Sequence, residues 1–153
     1  MAVQVPMLIG TAGLVEGERF LLASAADAVL GRSRSCDISL RRCSGYLKSP
    51  VATRDQDHDF NTVSRRHLRM QLVDGKVTFT DLSTNGSFLN NDQLRQPLTV
   101  ELGNTAWIIR LGTRETFQLL LVDAGDERVK GLQVISGGGQ PGGEDEPLPA
   151  KPV

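Results

Sequence analysis

The sequence predicts an all-β protein with the strand layout of a sandwich or a barrel. Short apolar stretches recur along the 153-residue chain, and glycine, asparagine and aspartate interrupt them at short intervals. Sixteen glycines, seven prolines and only 5% aromatic residues favour a loop-rich β protein. Residues 7–30 show no helical period of useful length, so the repeated short strands and turns indicate β structure from early in the chain.

The composition fits one domain and excludes several classes of protein. An apolar content of 39% over 153 residues is enough for a single modest core. A net charge of −1 gives no general support for nucleic-acid or anionic-membrane binding, although it allows a local basic patch. No stretch approaches the roughly 18 apolar residues of a membrane helix, and the N-terminus lacks a signal-peptide pattern. We therefore expect a cytoplasmic protein in which Cys36 and Cys43 are free thiols.

Strands are predicted on both sides of a central hairpin. They lie at residues 7–11, 19–23, 28–30 and 37–40 before it, and at residues 98–102, 106–110 and 116–122 after it. Apolar residues between 129 and 135 predict a final strand or a short helix. From about residue 136 the sequence is rich in glycine and proline and is typical of a disordered tail.

The central hairpin follows directly from the residue pattern. Residues 68–72 and 77–80 both alternate between apolar and polar side chains, which is the period of a half-buried strand. The Asp-Gly dipeptide at 74–75 is a strong signal for a tight hairpin turn, because both central residues of that turn need positive φ. A turn at Ser64 enters the first strand and a turn at Asn85 leaves the second. Antiparallel pairing brings both turns to the same end of the sheet.

Three groups of polar residues in this order carry a family resemblance. They are Gly31-Arg32, then Ser64-Arg65-Arg66-His67, and then Thr84-Asn85-Gly86 with Asn90. This pattern, with the hairpin between the last two groups, resembles a forkhead-associated (FHA) domain over about residues 21–122. The resemblance implies an antiparallel β-sandwich (FHA/SMAD-like) whose loops at one end bind phosphothreonine peptides.

The resemblance also implies a role for each residue of the pattern. The phosphopeptide would be bound by Arg32, Ser64, Arg65, Thr84 and Asn85, and the site would be supported by Gly31, His67, Gly86 and Asn90. The chemistry suits these roles, since a guanidinium forms paired, charge-assisted hydrogen bonds with phosphate oxygens and a carboxamide both donates and accepts. In the family, a pocket for the threonine methyl group favours phosphothreonine over phosphoserine.

Ser64 and His67 also permit a different interpretation, a serine nucleophile with a histidine base. The two residues are three positions apart at the start of a strand, and no Asp or Glu partner is evident. We therefore expect a structural histidine and no enzymatic activity.

The sequence motifs give little support for a metal site. An EF-hand loop beginning at Asp55 would need glycine and glutamate at the positions of Phe60 and Arg66. The cysteines and histidines form no close Cys-x-x-Cys or His-x-x-x-His pair. We expect neither a metal nor another cofactor.

The chain departs from the family pattern between Arg41 and Thr62. The family usually needs only a few residues here, whereas this chain has about twenty, with little periodicity and a mixture of basic and acidic residues. Long loops inside compact domains are usually functional or disordered. Two hypotheses remain open, a lid or specificity loop beside the ligand and a tolerated floppy insertion.

The sequence therefore predicts a phosphothreonine-dependent interaction module that acts as a signalling or assembly adaptor. Its partner would be a protein phosphorylated by a Ser/Thr kinase, with no nucleic acid or membrane involved and a monomer as the default state. The domain would span residues 1–128 with the inserted loop at about 41–62, followed by a C-terminal extension at 129–153. The alternative is a phosphate-independent FHA-like scaffold that binds a partner through the insertion.

Overall fold

The computed structural model describes residues 3–137, which form twelve strands and three one-turn helices. The strands are β1 (Gln4–Ala12), β2 (Arg19–Leu22), β3 (Asp27–Gly31), β4 (Ile38–Ser39), β5 (Leu68–Val73), β6 (Lys76–Asp81), β7 (Ser87–Leu89), β8 (Asp92–Gln93), β9 (Leu98–Glu101), β10 (Trp107–Leu111), β11 (Glu115–Asp123) and β12 (Val134–Ile135). The helices are α1 (Ser44–Lys48), α2 (Val51–Arg54) and α3 (His58–Asn61), and 3-10 turns occupy Gly13–Val15, Leu40–Arg42 and Glu127–Val129. None of the helices in this part of the chain is long and apolar enough to cross a bilayer.

Two sheets face each other, and the predicted β-sandwich is confirmed. The larger sheet has the strand order β12-β2-β1-β11-β10-β7-β8, and the smaller has the order β4-β3-β5-β6-β9. Most neighbouring strands are antiparallel. The exceptions are β3 with β4 and β12 with β2, which pair in parallel over two residues at a sheet edge. Each sheet is therefore mixed, which the alternation of apolar residues did not predict because it is the same for both strand directions.

The central hairpin has the predicted geometry. Strands β5 and β6 pair from Leu68 with Asp81 to Val73 with Lys76. Asp74 and Gly75 form the turn between them and have φ values of 52° and 77°, as a two-residue turn of this kind requires. Alternate residues of both strands face the other sheet, where they contribute to one continuous core.

The insertion is folded and forms part of the core. The sequence predicted little regular structure between residues 41 and 62, and that expectation was wrong. Helices α1 to α3 each contain only four or five residues, too few for a helical period to be visible in the sequence. Tyr46 and Phe60 stack with their ring centroids 4.9 Å apart and are 3% and 0% exposed, so a floppy insertion is excluded.

The acidic residues of the insertion attach it to the hairpin between β10 and β11. Asp57 caps α3 by accepting from the Phe60 N–H, and its other oxygen lies 3.0 Å from the Arg114 guanidinium. Asp59 accepts a hydrogen bond of 2.8 Å from the Thr113 hydroxyl. The spacing of acidic residues that resembles a calcium loop therefore serves to attach the insertion to the sandwich.

The segment after residue 129 returns to the sandwich. The strand or helix predicted there is a short strand, β12, which lies beside β2. Ile135 O accepts a hydrogen bond from the Ala23 N–H at 2.9 Å, and Ser136 O accepts one from the Asp27 N–H at 3.0 Å. The disorder predicted from about residue 136 falls, beyond Gly137, outside the described residues.

Removing the Phe60 ring tests whether the insertion belongs to the core. We expect Phe60→Ala to lower the free energy of unfolding by about 3–5 kcal/mol, because it leaves a cavity under α3. The control Leu47→Ala changes a side chain of the same insertion that is 58% exposed and should have an effect below about 0.5 kcal/mol. Urea denaturation measures both; similar stability of the two variants would contradict a docked insertion.

Candidate functional site

Three polar turns meet at one end of the sandwich. Strand β3 ends at Gly31, the Ser64 turn leads into β5, and the turn at Thr84–Gly86 follows β6. Leu30 pairs with Leu68, and Leu68 pairs with Asp81. The three turns therefore lie at the same end of three adjacent strands. The hydrogen bonds between the turns then fix the relative positions of Arg32, Ser64 and Asn85.

His67 connects two of these turns through both ring nitrogens. Its Nδ1 accepts from the Ser64 backbone N–H at 2.9 Å, and its Nε2 lies 2.8 Å from Gly86 O. Because Nδ1 accepts, the ring proton is on Nε2 and donates to Gly86 O. The imidazole is 0% exposed, and burial lowers its pKa from the ordinary value.

This bonding leaves no imidazole nitrogen to activate the Ser64 hydroxyl. The Ser64 Oγ instead accepts a hydrogen bond of 3.0 Å from the Thr84 N–H. With that lone pair used by the protein, the hydroxyl hydrogen can point away from the sandwich and donate to a ligand. The arrangement suits an anion-binding serine rather than a nucleophile.

Arg32 is half-buried and is held by the residues that precede Ser64. Its backbone N–H donates to Ser64 O at 3.1 Å, and its side-chain Nε donates to Val63 O. The guanidinium carbon lies 6.0 Å from the centroid of the Phe60 ring. With Nε fixed in this way, the two terminal nitrogens of Arg32 are left to bind an anion.

Asn85 is exposed beside this arginine and is oriented by the same segment. Its side-chain Nδ2 donates to Thr62 O at 3.0 Å, which leaves the Oδ1 acceptor and the second amide hydrogen available. Thr62 and Val63 were not predicted to belong to the site, because they act through backbone carbonyls that side-chain chemistry cannot reveal. Thr62 is the last residue of the insertion and Val63 follows it directly, so the end of the insertion helps to orient both polar side chains.

Two glycines permit the close approach of the turns. A Cβ on Gly31 would lie 2.1 Å from Arg65 O, so only glycine fits where β3 contacts the Ser64 turn. Gly86 has a φ of +103°, which a residue with a side chain rarely adopts. Its carbonyl is also the acceptor for His67, so its conformation decides where that acceptor lies.

The remaining residues of the predicted set occupy different places. Arg65 and Thr84 are exposed at the same end of the sandwich as Arg32. Asn90 lies at the opposite end of β7, where its Oδ1 accepts from the Ile108 N–H at 2.8 Å. The structure therefore does not bring Asn90 to the site, and its contact supports the pairing of β7 with β10.

The electrostatics of this end are positive although the chain carries a net charge of −1. The arginines here are Arg32, Arg41, Arg65 and Arg66, and within residues 3–137 none of them forms a salt bridge. Burial, followed by the charges of Arg41 and Arg65, lowers the pKa of Arg32. The site therefore offers unneutralised donors to an anion.

No arrangement of side chains in the described part of the chain suits a metal ion, since no group of three or more His, Cys, Asp or Glu residues lies close enough. Asp55 accepts from the Tyr46 hydroxyl at 3.1 Å, and Asp57 and Asp59 bind Arg114 and Thr113. These carboxylates are thus already occupied by donors of the protein.

The neutral state of His67 predicts a specific dependence of stability on pH. The unfolded chain protonates histidine near pH 6.5, whereas the folded chain resists protonation, so the unfolded state binds more protons below that pH. We expect the free energy of unfolding to fall as the pH drops from about 6.5 towards the lower folded pKa. An NMR titration of the imidazole in a His58→Gln variant, which leaves one histidine, should give a midpoint below 6.5; a midpoint above it would contradict this geometry.

Gly31→Ala tests the close approach of β3 to the Ser64 turn. The added methyl group would overlap Arg65 O, so we expect a loss of about 1–3 kcal/mol in the free energy of unfolding. Gly103→Ala is the matched control, because a Cβ there meets no atom within 4 Å, and its effect should be below about 0.5 kcal/mol. Chemical denaturation of both variants measures the difference, and equal stability would contradict the contact.

Comparison with known proteins gives the family and the fold. Residues 28–112, more than half of the chain, match the family model described as FHA domain. No curated protein matches the chain significantly.

Solved structures agree with this match. The FHA domain of a Chlamydia trachomatis protein is 23% identical, with a TM-score of 0.56, 76% of this chain and 96% of that chain covered. An FHA domain from Arabidopsis thaliana is 21% identical, with a TM-score of 0.60 and 83% and 93% covered. An FHA domain from a study of phosphothreonine-dependent FHA interactions is 25% identical, with a TM-score of 0.53 and 76% and 95% covered. The sequence match, the sandwich and the three turns together show that this chain belongs to the FHA domain family.

Proposed function

We propose that this FHA domain binds segments of other proteins that carry phosphothreonine. FHA domains are phosphopeptide-binding modules rather than enzymes, and the relative that is 25% identical belongs to work on phosphothreonine-dependent interactions. The observation that carries the proposal is the meeting of Arg32, Ser64 and Asn85 at one end of the sandwich, each held by protein atoms and each with free hydrogen-bonding groups.

Each of these residues has a distinct part in the proposed complex. The terminal nitrogens of Arg32 bind two phosphate oxygens, and the Ser64 hydroxyl donates to the phosphate. The exposed amide of Asn85 binds the backbone of the peptide next to the phosphothreonine, while Arg65 and Thr84 contact the phosphate or the peptide beside it. His67, Gly31 and Gly86 hold the turns in place.

The affinity follows from the small number of strong contacts. Hydrogen bonds to charged groups contribute about 1.5–3 kcal/mol each, and association itself costs free energy. A few such bonds on an exposed site give a dissociation constant in about the micromolar range, or about −8 kcal/mol. Because the attraction is largely electrostatic, binding should weaken as salt is added.

We also propose the kind of partner and complex that this domain serves. The partner is a protein phosphorylated by a Ser/Thr kinase, and this domain joins it to a signalling or assembly complex without catalysing a reaction. Cys36 and Cys43 are both free and buried, which suits the reducing cytoplasm.

The first experiment is a titration of the purified protein with a degenerate phosphothreonine peptide library. Matched phosphoserine and unphosphorylated libraries serve as controls. Selective binding of the phosphothreonine library supports the proposal. Equal binding of a partner protein before and after phosphatase treatment would instead favour a phosphate-independent scaffold that uses the insertion.

Arg32→Ala should remove most phosphate-dependent binding, with a loss of at least about tenfold in affinity, because one charge-assisted hydrogen bond is already worth that factor. The matched control Arg95→Ala removes the same charge from an exposed position between β8 and β9 and should leave affinity within about twofold. Isothermal calorimetry measures both. Binding by Arg32→Ala within twofold of the wild type would contradict the proposed function.

A further inference from the structure

The insertion begins with an arginine that the fold places beside Arg32. Strand β4 runs parallel to β3, with Leu30 opposite Ile38 and Gly31 opposite Ser39. The chain therefore leaves both strands in the same direction. Arg32 is the first residue after β3, and Arg41 is the second residue after β4. The Ser39 hydroxyl donates to Arg32 O at 3.5 Å, so the two strand ends are in contact.

The backbone around Arg41 is firmly held. Arg41 is the middle residue of the 3-10 turn Leu40–Arg42, which closes with a hydrogen bond of 3.2 Å from the Cys43 N–H to Leu40 O. Leu40, directly before it, and Cys43, two residues after it, are buried, with exposures of 0% and 1%. The backbone that carries Arg41 is thus anchored in the core.

The Arg41 side chain lacks the partners that buried guanidinium groups normally have. It is half-buried, and its Nε is fully buried without a hydrogen-bond acceptor in the part of the chain that the structure describes. It also forms no salt bridge with any residue between 3 and 137. The Nε is too deeply buried for a ligand to reach, but the two terminal nitrogens of Arg41 are not fully buried and also form no hydrogen bond within the described residues, so they are available to an anion at this site.

The charges at this point also favour an anion. Among the charged groups around Arg32, Arg41 acts on it most strongly, followed by Arg65. Two neighbouring guanidinium groups repel each other, and an anion bound between them removes that repulsion. Asp55 opposes this repulsion from within the insertion, but its carboxylate is bound to the Tyr46 hydroxyl and pairs with neither arginine.

We propose that Arg41 is a second phosphate-binding arginine, so that the phosphate of the bound peptide lies between the guanidinium groups of Arg32 and Arg41. This inference rests on the proposed function and deepens it. The insertion then contributes directly to the ligand site through its first residue, in addition to orienting Asn85 through its last residue, Thr62. Two cationic side chains match the double charge of a phosphate better than the single charge of aspartate or glutamate. Acidic mimics of phosphothreonine should therefore bind poorly.

The test compares three charge-removing variants by calorimetry with a phosphothreonine peptide that the wild type binds. We expect Arg41→Gln to weaken binding by about tenfold or more. Arg42→Gln, which changes the adjacent exposed arginine, and Arg95→Gln, which changes a distant one, should stay within about threefold. Arg41→Lys keeps the charge but loses the planar fork, so its affinity should lie between those of the wild type and Arg41→Gln.

The affinity ratio between the phosphothreonine peptide and its glutamate-substituted form gives a second measurement. A second phosphate ligand predicts that Arg41→Gln lowers this ratio, whereas a structural role would weaken both peptides equally. Equal affinity of Arg41→Gln and Arg95→Gln for the phosphopeptide would overturn the inference and leave the proposed function intact. If the wild type bound no phosphothreonine peptide, that result would instead contradict the proposed function itself.

NMR of the wild type keeps the inference testable should Arg41→Gln fail to fold. The buried Nε–H of Arg41 should exchange slowly with water and give a separate arginine side-chain signal. We expect this signal to shift on addition of inorganic phosphate or the phosphothreonine peptide. A signal that stays unchanged while that of Arg32 shifts would overturn the inference.

Discussion

The site depends on the two hydrogen bonds of one buried imidazole. His67 accepts from the backbone of the Ser64 turn and donates to Gly86, so a single ring fixes the separation of the two turns that carry the polar side chains. The ring is neutral and fully buried, so both bonds form in a low-dielectric environment, where a hydrogen bond is stronger and an unpaired group is costly. The position of the Ser64 hydroxyl, and through Thr84 that of Asn85, follows from this constraint.

A second constraint comes from the insertion, which is part of the domain and not an addition to it. Phe60 fills the core beneath Arg32, and the carbonyls of Thr62 and Val63 orient Asn85 and Arg32. At its other end, Arg41 stands next to Arg32 with no carboxylate paired to either guanidinium in the described structure. A chain that is nearly neutral overall thus concentrates positive charge where an anion would bind, which costs stability in the free protein and favours the bound state.

Much of the fold was predictable because its signals are local. Alternation in β5 and β6 and the Asp-Gly turn needed only a few neighbouring residues, and the hairpin between the polar groups placed the Ser64 and Asn85 turns at one end of the sheet. The helices of the insertion were missed because one turn of helix leaves no period in a sequence. The parallel edge pairs were also missed, because alternation does not report strand direction, and β4 is only two residues long. Asn90 was expected to give structural support by holding the turn after β7, and it lies at that turn, at the far end of β7 from the other polar residues.

The sequence by itself determined the family, the hairpin at the centre of the smaller sheet and the identity of Arg32, Ser64 and Asn85 as a set. Those conclusions follow from residue types and short spacings, which local chain geometry constrains. Only the tertiary structure decided that the insertion packs against the core, that the carbonyls of Thr62 and Val63 orient the polar side chains and that Arg41 lies near Arg32. These three features depend on contacts between residues that are distant in sequence. Burial and strand pairing decide which of those contacts form, and no short spacing of residues encodes them.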